Sequence, residues 1–315
     1  MNRSPFEFSS DNKRYHTLNY YYRENFGKKR YKAVINCGFT CPNIDGPKGK
    51  GGCIFCDGGS GYFTHRHLGI TEQLLMEKER ICQKYGSEAE LIAYFQANTN
   101  TYAPTDLLKE LYLEAASFPS VCGISIGTRA DCLSENTVDL LREISSITSL
   151  TVELGMQSCH EETIKLINRC CTHAEFKNGF YRLKKAGIRI CLHIINGLPY
   201  ETPEMMLESA REAARLGPDA VKLQMLHVIK GTKLEEMYKS SSFRLLTQDE
   251  YVDTIVDQLE VLPPETVIER ITGDGDKSKL IAPEWSKNKI VVLGAIDKAL
   301  AVRDTWQGKK YTKGG

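Results

Sequence analysis

Short apolar runs alternate with amphipathic stretches along most of the chain. The runs are rich in β-branched residues and are followed by polar turns, which predicts strands buried on both faces. Six strands are predicted, at residues 31–36, 90–96, 122–127, 150–156, 188–195 and 220–226. The stretches between them place apolar residues three and four positions apart, which predicts helices. These helices lie at 71–85, 105–116, 134–145 and 203–216, with a helix pair within 161–186.

Regular alternation of strands and helices is typical of parallel βαβ units with right-handed crossovers. Six units are fewer than the eight of a complete barrel, so the pattern predicts an α/β fold built on a partial (β/α)6 barrel. Further along, a helix is predicted at 248–262, a strand at 267–271 and a helix at 288–302. We expect these three elements to cover the open side of the barrel.

The predicted elements divide the chain into three parts. Residues 1–30 form an N-terminal segment, 31–235 the barrel, and 236–315 a C-terminal extension. Local signals also place helix starts, since hydroxyl side chains favour the N-cap and proline favours the first helical position. They predict N-caps at Thr71 and Ser134 and a helix that begins near Pro203.

The composition fits one large α/β domain, with 315 residues, 41% of them hydrophobic and 26% charged. The sequence contains no run of about 18 apolar residues and its first 13 residues are polar, so we expect neither a membrane span nor a secretory signal. Eleven cysteines, including the adjacent Cys170 and Cys171, fit a reducing compartment. We therefore expect a cytoplasmic protein.

Positive charge is concentrated at the start of the chain, although the net charge is only +1. Residues 1–32 interleave basic side chains with tyrosines, as in Tyr20–Tyr21–Tyr22–Arg23. Such a mixture suits single-stranded RNA, because lysine and arginine side chains neutralise phosphates and tyrosines stack on unpaired nucleobases. The alternative is a helix whose tyrosines pack on the barrel, and the sequence leaves both open.

Three cysteines stand in one loop after the first predicted strand, spaced as Cys41-x11-Cys53-x2-Cys56. Three thiolates can bind three irons of a cubane cluster and leave the fourth iron without a protein ligand. Two alternatives remain from the spacing alone. One is a zinc knuckle that also uses Cys37, and the other is a set of reduced thiols without metal.

Polar residues gather where each predicted strand ends. They include 98–100 after the second strand, 128–131 after the third, and 157–158 after the fourth. The fifth strand carries His193 and Asn196, and the sixth leads to residues 227–232. Because barrel enzymes place their chemistry at the carboxyl ends of the strands, these residues are candidates for an active site.

Several motifs together resemble the radical S-adenosylmethionine (SAM) superfamily. They are Cys-Gly-Phe-Thr-Cys-Pro-Asn at 37–43, Gly-Gly-Cys-Ile-Phe-Cys at 51–56, and the stretches 153–169, 193–199, 230–234, 262–264 and 270–274. The resemblance is to a bacterial branch related to the radical-SAM half of the Elongator catalytic subunit and, more distantly, to oxygen-independent coproporphyrinogen oxidase. The long first cysteine gap departs from the usual C-x3-C-x2-C spacing.

The resemblance implies two cofactors, a 4Fe-4S cluster and SAM. The cluster ligands would be Cys41, Cys53 and Cys56, with Cys37 a bystander. The positions that match SAM contacts are Phe55 and Ile195 beside the adenine, Thr99 and Asn100 at the amino group, Gln157 and His193 at the ribose, and Arg169 at the carboxylate. For each SAM position the alternative is a structural hydrogen bond inside the barrel.

The resemblance also implies a reaction. The branch includes a tRNA enzyme that shortens the carboxymethylaminomethyl group on wobble uridine, with or without a 2-thio group, to aminomethyl by way of a 5′-deoxyadenosyl radical. We expect Lys230, His227 and Arg270 to hold the substrate carboxylate, and a flavodoxin or ferredoxin to supply electrons. Elongator also carries an acetyltransferase domain, which this sequence does not resemble, so building the acetyl-derived side chain is not the expected task.

Two other functions remain open from the sequence. One is a radical SAM enzyme acting on a small metabolite or a porphyrin, in which case the basic N-terminal segment is incidental. The other is a non-enzymatic RNA-binding module that carries zinc. The sequence does not indicate an oligomeric state.

Overall fold

A curled sheet of seven parallel strands forms the centre of the computed structural model, which describes residues 6–58, 65–273 and 275–313. The strands are β1 (Arg30–Ile35), β2 (Glu90–Phe95), β3 (Val121–Thr128), β4 (Ser149–Gln157), β5 (Arg189–Asn196), β6 (Ala220–Met225) and β8 (Val267–Arg270). Their order in the sheet is β1-β2-β3-β4-β5-β6-β8. A separate antiparallel pair joins β7 (Val228–Ile229) to β9 (Leu280–Ala282).

Ten helices are described in addition to the strands, and most of them pack against the sheet or against one another. They are α1 (Leu18–Phe26), α2 (Ile70–Tyr85), α3 (Thr105–Ser117), α4 (Glu135–Ile147), α5 (Glu161–Leu166), α6 (His173–Lys185), α7 (Pro203–Leu216), α8 (Lys233–Lys239), α9 (Gln248–Val261) and α10 (Lys289–Val302), with 3-10 turns at Ala130–Cys132 and Glu284–Lys287. The strands from β1 to β6 present mostly buried apolar residues, as expected for a sheet covered on both faces. None of the described helices is long and apolar enough to cross a membrane.

The partial barrel is confirmed, with one more parallel strand than predicted. The predicted strand near residues 267–271 does not cover the open side of the barrel but extends the sheet, because β8 pairs with β6. Val267 donates its backbone N–H to Asp219 at 3.0 Å and both strand residues Val267 and Ile268 are buried. An unpaired β6 edge would leave backbone N–H and C=O groups without hydrogen-bond partners, and β8 supplies those partners.

Two of the three predicted helix starts are confirmed. Ser134 caps α4 by accepting a hydrogen bond from the backbone N–H of Thr137 at 3.2 Å, and α7 begins at Pro203. The prediction for Thr71 was wrong, because α2 begins one residue earlier with Gly69 as its N-cap. The hydroxyl of Thr71 instead donates to Glu114 on α3 at 2.7 Å.

The N-terminal segment lies at the amino end of the barrel, where it packs against the sheet. The backbone N–H of Ile268 in β8 donates to His16 at 2.7 Å. On α1, the ring of Tyr21 receives the guanidinium of Arg189 at 4.6 Å from its centroid, and burial raises the pKa of Tyr22 to about 12. These contacts favour the packing alternative for the tyrosines of this segment.

Several basic residues of this segment, and Lys32 in β1, form ion pairs within the chain. Within the described residues the pairs are Lys13–Asp297, Arg14–Asp304, Lys28–Glu90, Arg30–Glu90 and Lys32–Glu153. Internal pairing reduces the charge that remains for phosphates. The segment also lies at the opposite end of the strands from the cysteine loop, because β1 runs from the one to the other.

Candidate functional site

The cysteine loop follows β1 at the carboxyl end of the barrel, and Asn43 organises it. This side chain is buried, with its Oδ1 2.9 Å from the Sγ of Cys41, which donates to it. Its Nδ2 donates to the Sγ of Cys53 at 3.5 Å and to the backbone carbonyl of Asn168 at 3.0 Å. The sequence prediction missed Asn43, although it belongs to the quoted Cys-Pro-Asn motif. It joins two of the three cysteines to one another.

The third cysteine lies in the same turn as the second. The N–H of Cys56 donates to the carbonyl of Cys53 at 3.0 Å. Burial raises the pKa of the Cys56 thiol to about 11, and the negative charges of Cys53 and Cys41 act in the same direction. The three sulfurs therefore lie within electrostatic reach of one another.

Hydrogen-bond donors point at all three sulfurs. The hydroxyl of Thr99 donates to Cys41 at 3.1 Å, and the N–H of Gly58 donates to Cys56 at 3.4 Å, in addition to the contact of Asn43 with Cys53. Such donors stabilise thiolates and tune iron-sulfur clusters, so the donor set fits a cubane cluster on Cys41, Cys53 and Cys56. Within the described ranges, no group of three or more His, Cys, Asp or Glu side chains is already placed to hold a single metal ion.

A short segment after α5 fastens the cysteine loop to the barrel. Asn168 adopts a left-handed backbone conformation, which asparagine tolerates, with φ of 52°. Its Nδ2 donates to the carbonyls of Lys50 at 3.1 Å and Gly52 at 2.6 Å. The N–H of Ile54 donates to Ile167 at 3.1 Å. These hydrogen bonds fasten the cysteine loop to the segment that follows α5.

Arg129, which the sequence prediction mentioned only as a strand end, fixes the same segment. Its guanidinium donates to the carbonyls of Arg169 at 2.7 Å and Cys170 at 3.1 Å, and it forms a bidentate pair with Asp131 at 2.9 and 2.8 Å. Asp131 holds the pKa of Arg129 above its usual range, although burial acts in the opposite direction. The guanidinium of Arg129 therefore has a structural role, in which it holds the segment at Arg169 and Cys170 in place.

Arg169 and Gln157 meet above the end of β4. The Arg169 guanidinium is buried and donates to the carbonyl of Gly155. A Cβ at Gly155 would lie 2.4 Å from the Nε2 of Gln157, so a larger residue there would displace the amide of Gln157 from its present position. Gln157 has a φ of 68°, and its Oε1 is buried without a hydrogen-bond partner among the described residues. An orphaned acceptor of this kind fits a hydroxyl donor, such as a ribose hydroxyl of SAM.

Thr99 and Asn100 lie between the cysteine loop and β3. The N–H of Thr99 donates to the carbonyl of Thr40 at 3.2 Å. The side-chain amide of Asn100 donates to the carbonyls of Ala97 at 3.1 Å and Gly127 at 2.9 Å. The side-chain nitrogen of Asn100 thus makes structural hydrogen bonds to the backbone. Its Oδ1 is the atom that would accept a hydrogen bond from the amino group of SAM. The roles of both residues toward SAM stay predictions.

Phe55 and Ile195 contribute to one small apolar cluster. Both are partly buried and pack against Ile54, Ile167 and Leu198 among others. The structure therefore brings together the two residues predicted to flank the adenine. Whether adenine lies between them stays a prediction.

A charged cluster, defined here as Lys32, Tyr94, Ser125, Glu153, His193, Lys222 and Glu269, fills the barrel interior below the cysteine loop. The buried Glu153 carboxylate accepts hydrogen bonds from five side chains of five other strands. The donors are Lys32 at 2.5 Å, Tyr94 at 2.8 Å, Ser125 at 2.7 Å, His193 at 2.8 Å, and Lys222. Lys32 also reaches Glu269 of β8 at 2.9 Å and so connects the first strand to the last. The sequence prediction missed this cluster.

The charges of the cluster balance one another. Although burial raises it, Lys222 and Lys32 hold the pKa of Glu153 well below its usual range. Burial, together with the charge of Lys222, lowers the pKa of His193. His193 is therefore neutral and donates through Nε2 to Glu153, which leaves Nδ1 as its acceptor. Its predicted ribose contact stays a prediction and would have to use Nδ1.

The three residues predicted to hold a substrate carboxylate are only partly brought together. His227 is half-buried after β6, and burial with the nearby charge of Lys289 lowers its pKa to about 4. Burial with the nearby charge of Arg270 lowers the pKa of Lys289 to about 8. Arg270, Lys289 and His227 thus lie close together, whereas Lys230 is exposed. Lys289, at the start of α10, is a member of this group that sequence reasoning did not single out.

The cysteine loop also contacts the C-terminal part of the chain. The N–H of Leu234 in α8 donates to the carbonyl of Ile54 at 2.8 Å. The ammonium of Lys279, just before β9, pairs with Asp57 at 3.0 Å. The elements that carry the cysteines and the elements around the cationic group therefore share an interface.

Comparisons with known proteins agree with this site. A model of the radical SAM superfamily matches residues 44–213, and a model of the Radical_SAM C-terminal domain matches residues 218–301. The chain is 45% identical over 315 residues to the protein YtqA of Bacillus subtilis (strain 168), a match that covers 99% of this chain and 98% of that protein.

A more distant relative is named for its substrate. The tRNA uridine(34) acetyltransferase of Methanocaldococcus infernus is 29% identical over 154 residues, which is 48% of this chain and 28% of that protein. Among solved structures, the archaeal Elp3 of Methanocaldococcus infernus with an N-terminal deletion superposes with a TM-score of 0.67 and 18% identity. That match covers 88% of this chain and 63% of the other, and it supports the fold.

Proposed function

The chain belongs to the radical SAM superfamily, and from this premise we propose that it converts 5-carboxymethylaminomethyluridine, with or without a 2-thio group, to 5-aminomethyluridine at the wobble position of tRNA. Enzymes of this superfamily use a 4Fe-4S cluster and SAM. Bound together, the two groups supply a 5′-deoxyadenosyl radical that removes a hydrogen atom from substrate. The further steps of the proposal concern what the residues of this chain contribute.

Cys41, Cys53 and Cys56 are the cluster ligands in this proposal. The donors on their sulfurs, from Thr99, Asn43 and Gly58, hold the thiolates in place. The SAM site would use the buried orphaned Oε1 of Gln157 as an acceptor for a ribose hydroxyl. The fixed segment that contains Arg169 would contribute the guanidinium that faces the SAM carboxylate.

The observation that carries the substrate assignment is the cationic group formed by His227, Arg270 and Lys289. Burial and the neighbouring guanidinium lower the pKa of Lys289 to about 8, which places the ammonium of Lys289 near the guanidinium of Arg270. Groups of this kind recognise a carboxylate through charge-assisted hydrogen bonds. The carboxymethylaminomethyl group ends in such a carboxylate.

The same substituent offers a suitable hydrogen atom. The methylene between its nitrogen and its carboxylate has a weak C–H bond, because both neighbours stabilise a carbon radical. Fixing the carboxylate on Arg270 and Lys289 would hold that methylene at the barrel mouth, and positioning of this kind is the main contribution of a protein to cofactor chemistry. The mouth must exclude water until the hydrogen atom has been removed. Loss of one further electron to a one-electron acceptor would then give an imine, and hydrolysis of the imine would break the C–N bond, release the two-carbon unit as an oxo acid and leave the aminomethyl group.

The assignment to tRNA is supported by the relatives. The tRNA uridine(34) acetyltransferase that resembles half of this chain is named for the same nucleotide. An electron donor such as flavodoxin or ferredoxin would reduce the cluster. Lys230 is exposed at the mouth and would contact the RNA backbone rather than the carboxylate.

Nucleoside mass spectrometry tests the proposal. tRNA that carries 5-carboxymethylaminomethyluridine is incubated without oxygen with the reconstituted protein, SAM and dithionite. The wild type should lower this nucleoside and raise 5-aminomethyluridine, and Cys56→Ala should do neither. Cys37→Ala is the matched control, because Cys37 lies in the same loop but is not one of the proposed ligands, and it should retain activity.

The same experiment separates the alternatives. If 5′-deoxyadenosine forms while the nucleosides stay unchanged, the cluster assignment stands and the tRNA assignment is wrong. A small metabolite or porphyrin would then be the next class to test. If neither 5′-deoxyadenosine nor a product forms in protein that retains four irons per chain, the proposed function is wrong altogether.

A further inference from the structure

A strained and exposed tyrosine lies at the rim of the barrel, in the loop between β5 and α7. Tyr200 has a φ of 68°, in the left-handed region that bulky side chains rarely adopt. Its side chain is 62% exposed. The chain therefore accepts backbone strain at this position without burying an aromatic ring in return. Strain of this kind is retained where the surrounding structure imposes it, and it is common at functional sites.

The residues on both sides of Tyr200 are anchored. Leu198 is buried, and its carbonyl accepts a hydrogen bond from the N–H of Glu201 at 3.1 Å, which closes a tight turn around Tyr200. The Glu201 carboxylate accepts from the hydroxyl of Ser158, the residue that follows β4. The ring of Tyr200 is thus presented by an anchored turn beside the end of β4, the strand that ends at Gln157.

The same end of the barrel carries exposed positive charge. Lys50 in the cysteine loop, Lys230 after β7 and Lys277 before β9 are all exposed. They belong to loops at the carboxyl ends of the strands, as Tyr200 does. Ammonium groups neutralise phosphates, and a rigid exposed aromatic ring provides a stacking surface for an unpaired base. A paired duplex offers no free base face to such a ring.

We propose that Tyr200 is a stacking platform for an unpaired nucleobase next to the modified uridine, so that the barrel mouth and not the N-terminal segment binds the RNA loop. The proposal rests on the proposed function for the choice of RNA as the partner. It assigns a binding role to Tyr200 and no part in the radical chemistry. The turn leaves the ring of Tyr200 exposed, where a base can reach it.

Fluorescence anisotropy with a labelled 17-nucleotide tRNA anticodon stem-loop, at fixed 0.1 M salt, tests the proposal. Tyr200→Ala and Tyr200→Gly should weaken binding about tenfold, a typical loss for one stacked base. Tyr200→Phe retains the ring and should bind within about twofold of wild type. Tyr181→Ala is the matched control, because Tyr181 is 52% exposed on α6 in the outer helical layer, and it should leave affinity unchanged.

Thermal unfolding distinguishes binding from folding. Tyr200→Gly should raise the melting temperature, because glycine relieves the left-handed strain, and yet it should lose RNA affinity as Tyr200→Ala does. A variant that is more stable but binds less cannot owe its defect to misfolding. A labelled RNA duplex of equal length should bind wild type and Tyr200→Ala alike.

Three results would overturn the proposal. Tyr200→Ala could bind the stem-loop as well as wild type, Tyr200→Phe could lose as much affinity as Tyr200→Ala, or sedimentation could show that Tyr200→Ala abolishes self-association of the chain instead. The outcome is independent of the proposed function, which is measured by nucleoside conversion in the wild type. Stem-loop binding through Tyr200 without any conversion would leave this inference standing and remove the proposed reaction.

Discussion

His193 donates a hydrogen bond to Glu153 at 2.8 Å inside the barrel, between neighbouring strands β5 and β4. The contact decides which nitrogen of the imidazole is protonated. It also ties the residue predicted to contact the cofactor to the most highly coordinated carboxylate described in the fold. The contribution of the Glu153 carboxylate to the free energy of unfolding can be measured in the absence of any cofactor.

Replacing Glu153 by glutamine should destabilise the protein by about 3–5 kcal/mol. The change removes the negative charge that Lys32 and Lys222 both contact, and it leaves buried positive charge without its main partner. Urea unfolding measures the loss. Glu143→Gln is the matched control, because the Lys109–Glu143 pair is exposed, and it should cost less than about 1 kcal/mol. Equal losses for the two variants would contradict the importance given to the charged cluster.

Asn168→Asp should reduce the iron content without removing a ligand. Aspartate tolerates the left-handed backbone but cannot donate to the carbonyls of Lys50 and Gly52, so the cysteine loop loses its fastening. Outer-shell changes typically cost 10- to 100-fold in metal affinity. Iron per chain and absorbance near 400 nm give the measurement after reconstitution at limiting iron.

Asn25→Asp serves as the comparison for that experiment. Asn25 is exposed on α1 and donates to the carbonyl of Tyr21 at 2.9 Å, far from the cysteines along the strands. It should reconstitute like the wild type. If Asn168→Asp also reconstitutes fully, the loop does not depend on this residue.

The stability of the protein should fall in acid partly because of His227. Its pKa is lowered to about 4 by burial and by Lys289, whereas an unfolded histidine titrates near 6.5. Between these values the unfolded chain binds the proton and the folded chain does not, so stability is lost as the pH falls from 6.5 to 4. His227→Gln should show a shallower fall in urea stability over this range. An unchanged slope would mean that His227 is not buried as a neutral group.

Lys289→Met should separate stability from substrate use. Burial and Arg270 lower the pKa of Lys289 to about 8, so removing this charge should raise the melting temperature at pH 7. In wild type, stability should rise between pH 8 and about 10.5, because the folded lysine releases its proton before the unfolded one. Under the proposed function, KM for the carboxylate-bearing tRNA should increase about tenfold or more in the variant.

The wild-type KM should itself rise above pH 8, as Lys289 loses its charge. Lys289→Arg should retain the low KM and extend it to higher pH, since a guanidinium stays charged. Lys298→Met is the control on the exposed side of the same helix, and it should change neither KM nor its pH dependence. If Lys289→Met gained stability but kept the wild-type KM, the cationic group would have no role in holding the carboxylate.

The sequence predicted the sheet well because its strands are locally encoded. Each apolar run from β1 to β6 is bounded by polar turns, and such runs are recognisable in isolation. The position of β8 was less accessible, because whether residues 267–270 cover an opening or join the β6 edge depends on which edge lacks a partner. The prediction of Thr71 as an N-cap was wrong for a similar reason, because its hydroxyl donates to Glu114 of the next helix, a contact between elements distant in sequence.

The sequence indicates candidate site residues most directly where they stand together within one motif. The cysteines are close in sequence, so their spacing already indicates one loop. The charged cluster is different, because Lys32, Glu153 and Lys222 stand on separate strands and meet only once the sheet curls. A charged residue in the middle of an otherwise apolar strand was the available signal. Lys289 gave no such signal, because it is the first residue of an ordinary helix. Its role as a candidate depends on its proximity to Arg270, which only the structure shows.

The hydrogen bond from Leu234 to the carbonyl of Ile54 connects α8 to the cysteine loop. Ile54 lies between Cys53 and Cys56, and Leu234 lies in α8, which follows β7. A cluster that immobilises the loop would therefore reduce the entropy still to be lost when RNA binds the mouth. Under the proposed function, cofactor loading and RNA affinity would be linked, and the apoprotein is expected to bind the RNA more weakly than the loaded enzyme.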